Sequence, residues 1–189
     1  MSNTEHIVAR GHLFELVELP QPDGRTFELA RRAPGVRVII PDRDAGRLLL
    51  TKEYRRELSG YDYRLPGGKV FDSLQEYEAF LSSGKDIEVP ASTKAIAESA
   101  EEAGIDVEGV KLFKISRLGA TVQWDLFVFE ATGWTKRQGG QALEAGEVVD
   151  EVAWVDYDNV KAKILKGEMQ EERIALILLQ WLEAIGSHK

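Results

Sequence analysis

The sequence predicts an α+β fold. Two observations carry that reading. Up to Val70 the chain is a succession of short apolar, β-branched runs cut by Pro, Gly and Asp turns. Helical periodicity is confined to residues 73–104 and to the stretch after 157, with further strands between them. Strands and helices grouped in this way, rather than strictly alternating, mark an α+β chain.

Residues 7–19 read as a strand whose alternation is clearest after Gly11. Pro20-Gln-Pro-Asp-Gly24 is a turn, and Thr26–Ala33 is the return strand of a hairpin. Pro34-Gly35 breaks it. Val36–Ile40 is a compact β-branched strand, the run 41–46 turns, and Arg47–Tyr54 is the next strand. Tyr61–Lys69 contains Leu65-Pro66-Gly67-Gly68, where proline cannot donate to a sheet ladder and two glycines allow a sharp fold. In 73–83, Ser73 and Glu76 have capping-box spacing, and Leu74, Tyr77, Phe80 and Leu81 form an apolar stripe. Lys85–Pro90 reads as a linker. A second helix is expected from Ser92 or Thr93 to Gly104, with Ile96, Ala100 and Ala103 facing inward. Val107–Leu118 and Thr121–Ala131 read as strands, 133–146 as a polar loop and Glu151–Asp156 as a strand. Helices follow over 157–167 and 170–185, the latter with Ile174, Leu178, Trp181 and Ile185 on one face.

With 189 residues the chain can bury one substantial core. Its net charge of −8, with no basic stripe, argues against nucleic acid as a partner. There is no cysteine, hence no thiolate chemistry, and the three histidines, His6, His12 and His188, lie near the ends. No signal segment or membrane-length apolar run occurs, so a cytoplasmic protein with no membrane partner is expected.

The chemistry is concentrated in Ala95–Ile105. As a helix it places Glu98, Glu101 and Glu102 together, since side chains three and four apart are neighbours. Crowded carboxylates repel unless a cation compensates, and Mg²⁺ takes such oxygen ligands. The commoner alternative is a solvated acidic face.

Leu65-Pro66-Gly67-Gly68, followed by Glu98-x-x-Glu101-Glu102-x-Gly104-Ile105, resembles the Nudix hydrolase signature, G-x5-E-x7-R-E-U-x-E-E-x-G-U with U aliphatic. The flanks, Gly11–Arg55 with a Tyr54-Arg55 pair and Gly167–Leu182, resemble the ADP-ribose pyrophosphatase and nucleotide-sugar hydrolase branch. The resemblance implies an α/β/α sandwich around a mixed sheet, preceded by an antiparallel hairpin sheet over residues 1–34. Residues 35–189 would form the hydrolase domain, interrupted by a helical insertion at about 71–90. Three features depart from the signature. Ala97 stands where it has Arg, Ser99 where it has an aliphatic residue, and thirty positions rather than fifteen separate Gly68 from Glu98. Asp72 and Glu88 are the candidates for its early glutamate. Lys94, one turn before Glu98, offers a replacement for the missing Arg. The inserted helix could serve as a lid over the pocket or as part of a dimer contact.

The activity implied is Mg²⁺-dependent (or Mn²⁺-dependent) hydrolysis of the pyrophosphate in a small nucleoside diphosphate derivative, ADP-ribose or a nucleotide sugar. Glu98, Glu102 and the Gly67 carbonyl would hold metal, with Glu101 as ligand or base. Glu144 and Glu147, in the late loop, are further base candidates. Arg55, Arg56, Arg31 and Arg32 would bind phosphate, the last two across a homodimer built through the N-terminal sheet. Phe27, Tyr54 and Trp134 are candidates to stack on a base. Two alternatives stand beside this: a nucleotide-binding module with impaired catalysis, and a nucleoside triphosphate pyrophosphatase.

Overall fold

The computed structural model describes residues 5–143 and 148–186. Residues 144–147, which include Glu144 and Glu147, therefore lie outside the described residues.

The centre is built by strands whose residues alternate between two apolar cores. Strand β4 (Gly35–Ile39) pairs in parallel with β10 (Leu126–Lys136), which pairs antiparallel with β8 (Ile105–Ser116). A second sheet has β6 (Arg47–Arg55) at its middle, flanked by β11 (Glu151–Asp156) and by β5 (Pro41–Asp42) and β7 (Gly60–Arg64). Val36, Val38, Ile40, Leu49, Phe127 and Phe129 turn to one face, and Ile39, Leu48, Leu50, Leu126 and Val128 to the other. This period of two is what a strand buried on both faces requires.

Each face is covered by helix. On the first lies α2 (Glu88–Glu101), contributing Ala91 and Ala95. On the second lie α3 (Tyr157–Leu165) and α4 (Glu172–Gly186), whose Ile174, Leu178 and Trp181 form the expected stripe. The result is an α/β/α sandwich around mixed sheet. Trp181 is buried yet satisfied, its Nε1–H donating to Glu130 Oε2 at 3.0 Å.

The N-terminal region differs from the sequence reading in one respect. Residues 7–19 form two strands, β1 (His6–Arg10) and β2 (Phe14–Pro20), because the chain turns at Gly11, whose N–H donates to the Phe14 carbonyl at 2.7 Å. With β3 (Thr26–Arg32) they make an antiparallel meander, and β9 (Val122–Gln123) adds to β3 in parallel.

The predicted insertion helix is α1 (Leu74–Ser82). Ser73 Oγ accepts the Glu76 N–H at 3.2 Å, while Glu76 reaches back to the Asp72 N–H at 3.0 Å. Its anchorage is to the N-terminal sheet: the Leu74 N–H donates to His12 O at 3.1 Å, and Arg10 pairs with Glu78.

Two corrections concern α2. It starts at Glu88, so the second half of the expected linker is helical; Pro90 falls in the first turn, where its missing N–H has no intrahelical role. Of the residues expected to face inward, Ala100 and Ala103 are buried but Ile96 is exposed, and Ala91, Ala95 and Ser99 complete the inward stripe. Small residues face the sheet because the helix lies close to it. The Ser99 hydroxyl is satisfied by the Ala95 carbonyl at 2.9 Å.

Candidate active site

One cavity of about 810 Å³ opens between the Pro66-Gly67-Gly68 turn, the C-terminal half of α2, the end of β6 and the start of β10. Among the described residues its walls carry seven cationic side chains: Arg32, Arg37, Arg55, Arg56, Arg64, Lys69 and Lys94. Against them stand five carboxyl groups, those of Glu53, Asp72, Glu98, Glu102 and Asp150.

The glycine turn shapes the acidic corner. A Cβ on Gly68 would stand 2.0 Å from Glu98 Oε1, so the bare backbone makes room for that carboxylate. A Cβ on Gly67 would meet the Val36 carbonyl oxygen at 2.1 Å, so only glycine lets the turn lie against β4. The Gly67 N–H donates to Glu102 Oε2 at 2.7 Å. Glu98 is 4 % exposed and receives the Lys94 ammonium at 3.0 Å; the same ammonium lies 3.4 Å from Glu101 Oε2. Lys94 thus sets a positive charge against both Glu98 and Glu101. Burial pushes the Glu102 carboxyl up to about 8 and the neighbouring Glu98 and Glu53 reinforce it, while the Gly67 N–H opposes.

Glu98 and Glu102 share the cavity, four residues apart on one helical edge. Glu101 does not line it: Glu101 turns aside to Lys94. The Gly67 carbonyl accepts from Arg37 Nη1 at 2.8 Å. Among the described residues, no three Asp, Glu or His side chains converge as a complete metal cage. The donors present still suit Mg²⁺, which is commonly held by one or two carboxylates, with waters and substrate phosphates completing its shell. A carboxyl pair of which Glu98 is buried and Glu102 partly so, each repelling the other when charged, is a fit for such a cation.

Opposite the acids is a group of arginines. Arg37 and Arg64 reach Glu171 Oε2 at 3.1 and 2.9 Å, and Arg173 reaches Glu171 Oε1 at 3.3 Å. Burial raises the Glu171 carboxyl, but the three guanidinium groups outweigh it and hold it below the usual carboxylate range. Arg32 and Arg173 both lie over the Trp124 ring, at 4.3 and 3.8 Å from its centroid.

Of the arginines expected from sequence, Arg55, Arg56 and Arg32 line the cavity. Arg31 does not. Adjacent residues of a strand point to opposite faces, and Arg31 is spent on Glu5 at 2.6 Å and the buried Glu15 at 2.9 Å. Tyr54 is at the cavity, whereas Trp134 packs on Trp154 at 4.5 Å and donates to the Pro41 carbonyl, and Phe27 stays on the N-terminal sheet. Asp72 reaches the rim; Glu88 sits at the start of α2. Glu53, Arg37, Arg64, Glu171 and Trp124 were not anticipated. Arg37 left one signal, a charge inside an otherwise apolar strand.

The solved structures supply a match for the fold that carries this cavity. A crystal structure described as an ADP compounds hydrolase aligns with a TM-score of 0.64 over 97 % of this chain and 94 % of that one, at 17 % identity. The chain has a Nudix-like fold. No family model and no curated protein sequence matches it. Fold alone does not choose a reaction, which must be argued from the site. No helix among the described residues is long and apolar enough to cross a membrane.

Proposed function

We propose that this chain is a divalent-metal-dependent pyrophosphohydrolase acting on a small nucleoside diphosphate derivative, ADP-ribose or a nucleotide sugar. The observation that carries this reading is charge. In a protein of net charge −8, the cavity containing the glycine turn and the acidic helix has, among the described residues, more cationic than anionic side chains. Such a cavity selects an anion and focuses its field on it. The structural neighbour, an ADP compounds hydrolase, agrees with that class of ligand.

Glu98 and Glu102 would hold Mg²⁺ or Mn²⁺, which neutralises phosphate charge and lowers the pKa of a coordinated water. Glu102 must lose its proton to serve, and approach of a dication provides the driving force. Arg55 and Arg56, at the mouth, present forked donors that suit phosphoryl oxygens and hold the diphosphate over the acids. Glu53 is the carboxylate on the sheet side, held by Arg55 at 3.5 Å and the Thr51 hydroxyl at 3.3 Å, and would orient or deprotonate the attacking water. Glu144 and Glu147 are competing candidates for that role; Glu101, turned to Lys94 and off the cavity wall, is not favoured for it. We also infer a homodimer through the N-terminal sheet, supported by Phe14 and Leu16 exposed together on one face of β2. Light scattering on the full chain and a Leu16→Glu variant tests it.

The deciding experiment incubates ADP-ribose and nucleotide sugars with Mg²⁺ and measures nucleoside monophosphate release by the natural chain, Glu98→Gln and Glu102→Gln. Release that falls at least a hundredfold in both variants supports the proposal; undiminished release removes these residues from the mechanism. A second reading, a binding module without turnover, is favoured by the Lys94 ammonium already satisfying Glu98. It predicts nucleotide binding with no product from any substrate.

A further inference from the structure

Within the same cavity, Arg32 stands apart from the other guanidinium groups that are withdrawn from solvent; Arg56 is exposed at the mouth. Arg37, Arg64 and Arg173 share Glu171, and Arg55 has Glu53 and Glu57. Among the described residues, Arg32 has no carboxylate and no hydrogen-bond acceptor; its neighbours are the rings of Trp124 and Phe14, at 4.3 and 5.1 Å. Its half-buried fork is therefore fixed by stacking while its donors stay unspent. Burial, followed by the like charges of Arg37 and Arg173, disfavours its charged form, and Glu171 only partly offsets them. A desolvated cation without a counter-ion is costly, and an anion from outside the chain removes the cost.

We propose that Arg32, braced by Trp124, is a subsite for a phosphomonoester that the substrate carries in addition to its diphosphate. The assignment rests on the nucleoside diphosphate reading above and narrows it. Arg55 and Arg56 lie at the β6 end of the cavity beside Glu53, whereas Arg32 comes from β3 and Trp124 from the segment entering β10. The anion taken by Arg32 thus belongs to a different part of the ligand from the one held by Arg55 and Arg56.

The test uses pairs of ligands differing by one phosphomonoester: NAD⁺ and NADP⁺, ADP-ribose and its 2′-phosphate, dephospho-coenzyme A and coenzyme A. Binding to the full chain is measured by calorimetry without divalent metal, so that no turnover is needed. At least one phosphorylated member should bind about tenfold more tightly or better than its partner, the scale of a charge-assisted bidentate contact. Arg32→Gln should bring that ratio close to one, and Arg32→Lys should keep part of it. No preference within any pair, or a preference that survives Arg32→Gln, overturns the subsite. If Arg32→Gln fails to fold, the natural chain's preference together with Trp124→Leu, which removes the brace, decides the matter. Absence of hydrolysis would sink the enzyme reading while leaving these ratios measurable.

Discussion

The Gly67 amide and the Glu102 carboxylate are joined by a 2.7 Å hydrogen bond, so the glycine turn between β7 and α1 is clamped to the C-terminal end of the acidic helix. That clamp places one carboxyl group in a buried corner facing Glu98 and Glu53. Its protonation, its room and its counter-charges each give a measurable consequence.

Glu102 titrates near 8 in the folded chain against 4.5 for an ordinary glutamate. Between those values the folded state keeps a proton that the unfolded state has released. Stability without metal therefore falls as pH rises through this window. Thermal melts in chelator should show the natural chain losing midpoint temperature from pH 5 to pH 9, with Glu102→Gln much flatter. Mg²⁺ or Mn²⁺ should bind more tightly as pH rises toward 8 and release close to one proton per ion at pH 7, as read by calorimetry in buffers of different ionisation enthalpy.

The two glycines of the turn should fail differently. Gly67→Ala drives a methyl into the Val36 carbonyl of β4, a contact with backbone that cannot yield. A loss above about 2 kcal/mol in urea unfolding is expected. Gly68→Ala meets the Glu98 carboxylate instead, which a side-chain rotation can relieve. Its stability should change less, while Mn²⁺ affinity, followed by paramagnetic resonance, falls at least tenfold because Glu98 has been moved.

Lys94 holds Glu98 at 3.0 Å and Glu101 at 3.4 Å. Lys94→Ala leaves the buried Glu98 without that ammonium, and a destabilisation of about 1–3 kcal/mol in chelator is expected. Loosened carboxylates should also weaken Mn²⁺ binding. Unchanged metal affinity would show that the ammonium does not position them.

The sandwich was legible because its signals are local. The alternation through Val36–Ile40 and the Ile174, Leu178, Trp181 stripe each follow from one element's own period. The Ser73–Glu76 cap and the acidic helix were readable for the same reason. The site was half legible. Glu98 and Glu102 are four apart on a helix and find the glycine turn. Glu171 and Arg37 are 134 positions apart, and nothing local in either segment announces the other. Ile96 misled because hydrophobicity suggested burial, whereas close helix–sheet contact favoured Ala91, Ala95 and Ser99. Arg31 misled because a strand's period sends only one of two neighbouring arginines into the cavity.

Glu171 is the counter-charge of that cavity's arginine wall. It is mostly buried between Arg37, Arg64 and Arg173, and they hold its carboxyl below the ordinary range. A carboxyl depressed in the folded state contributes stability above its unfolded pKa and loses it as pH falls through the folded one. Acid unfolding of the natural chain should therefore include a step below about pH 4 that Glu171→Gln lacks. At pH 7 the same substitution leaves three guanidinium groups crowded without their shared partner, a loss of about 3–5 kcal/mol by denaturant unfolding. Inorganic pyrophosphate, an anion for the exposed side of the same wall, should recover part of that loss in Glu171→Gln and raise its melting temperature more than that of the natural chain. Equal shifts in the two proteins would mean that the wall does not face the ligand.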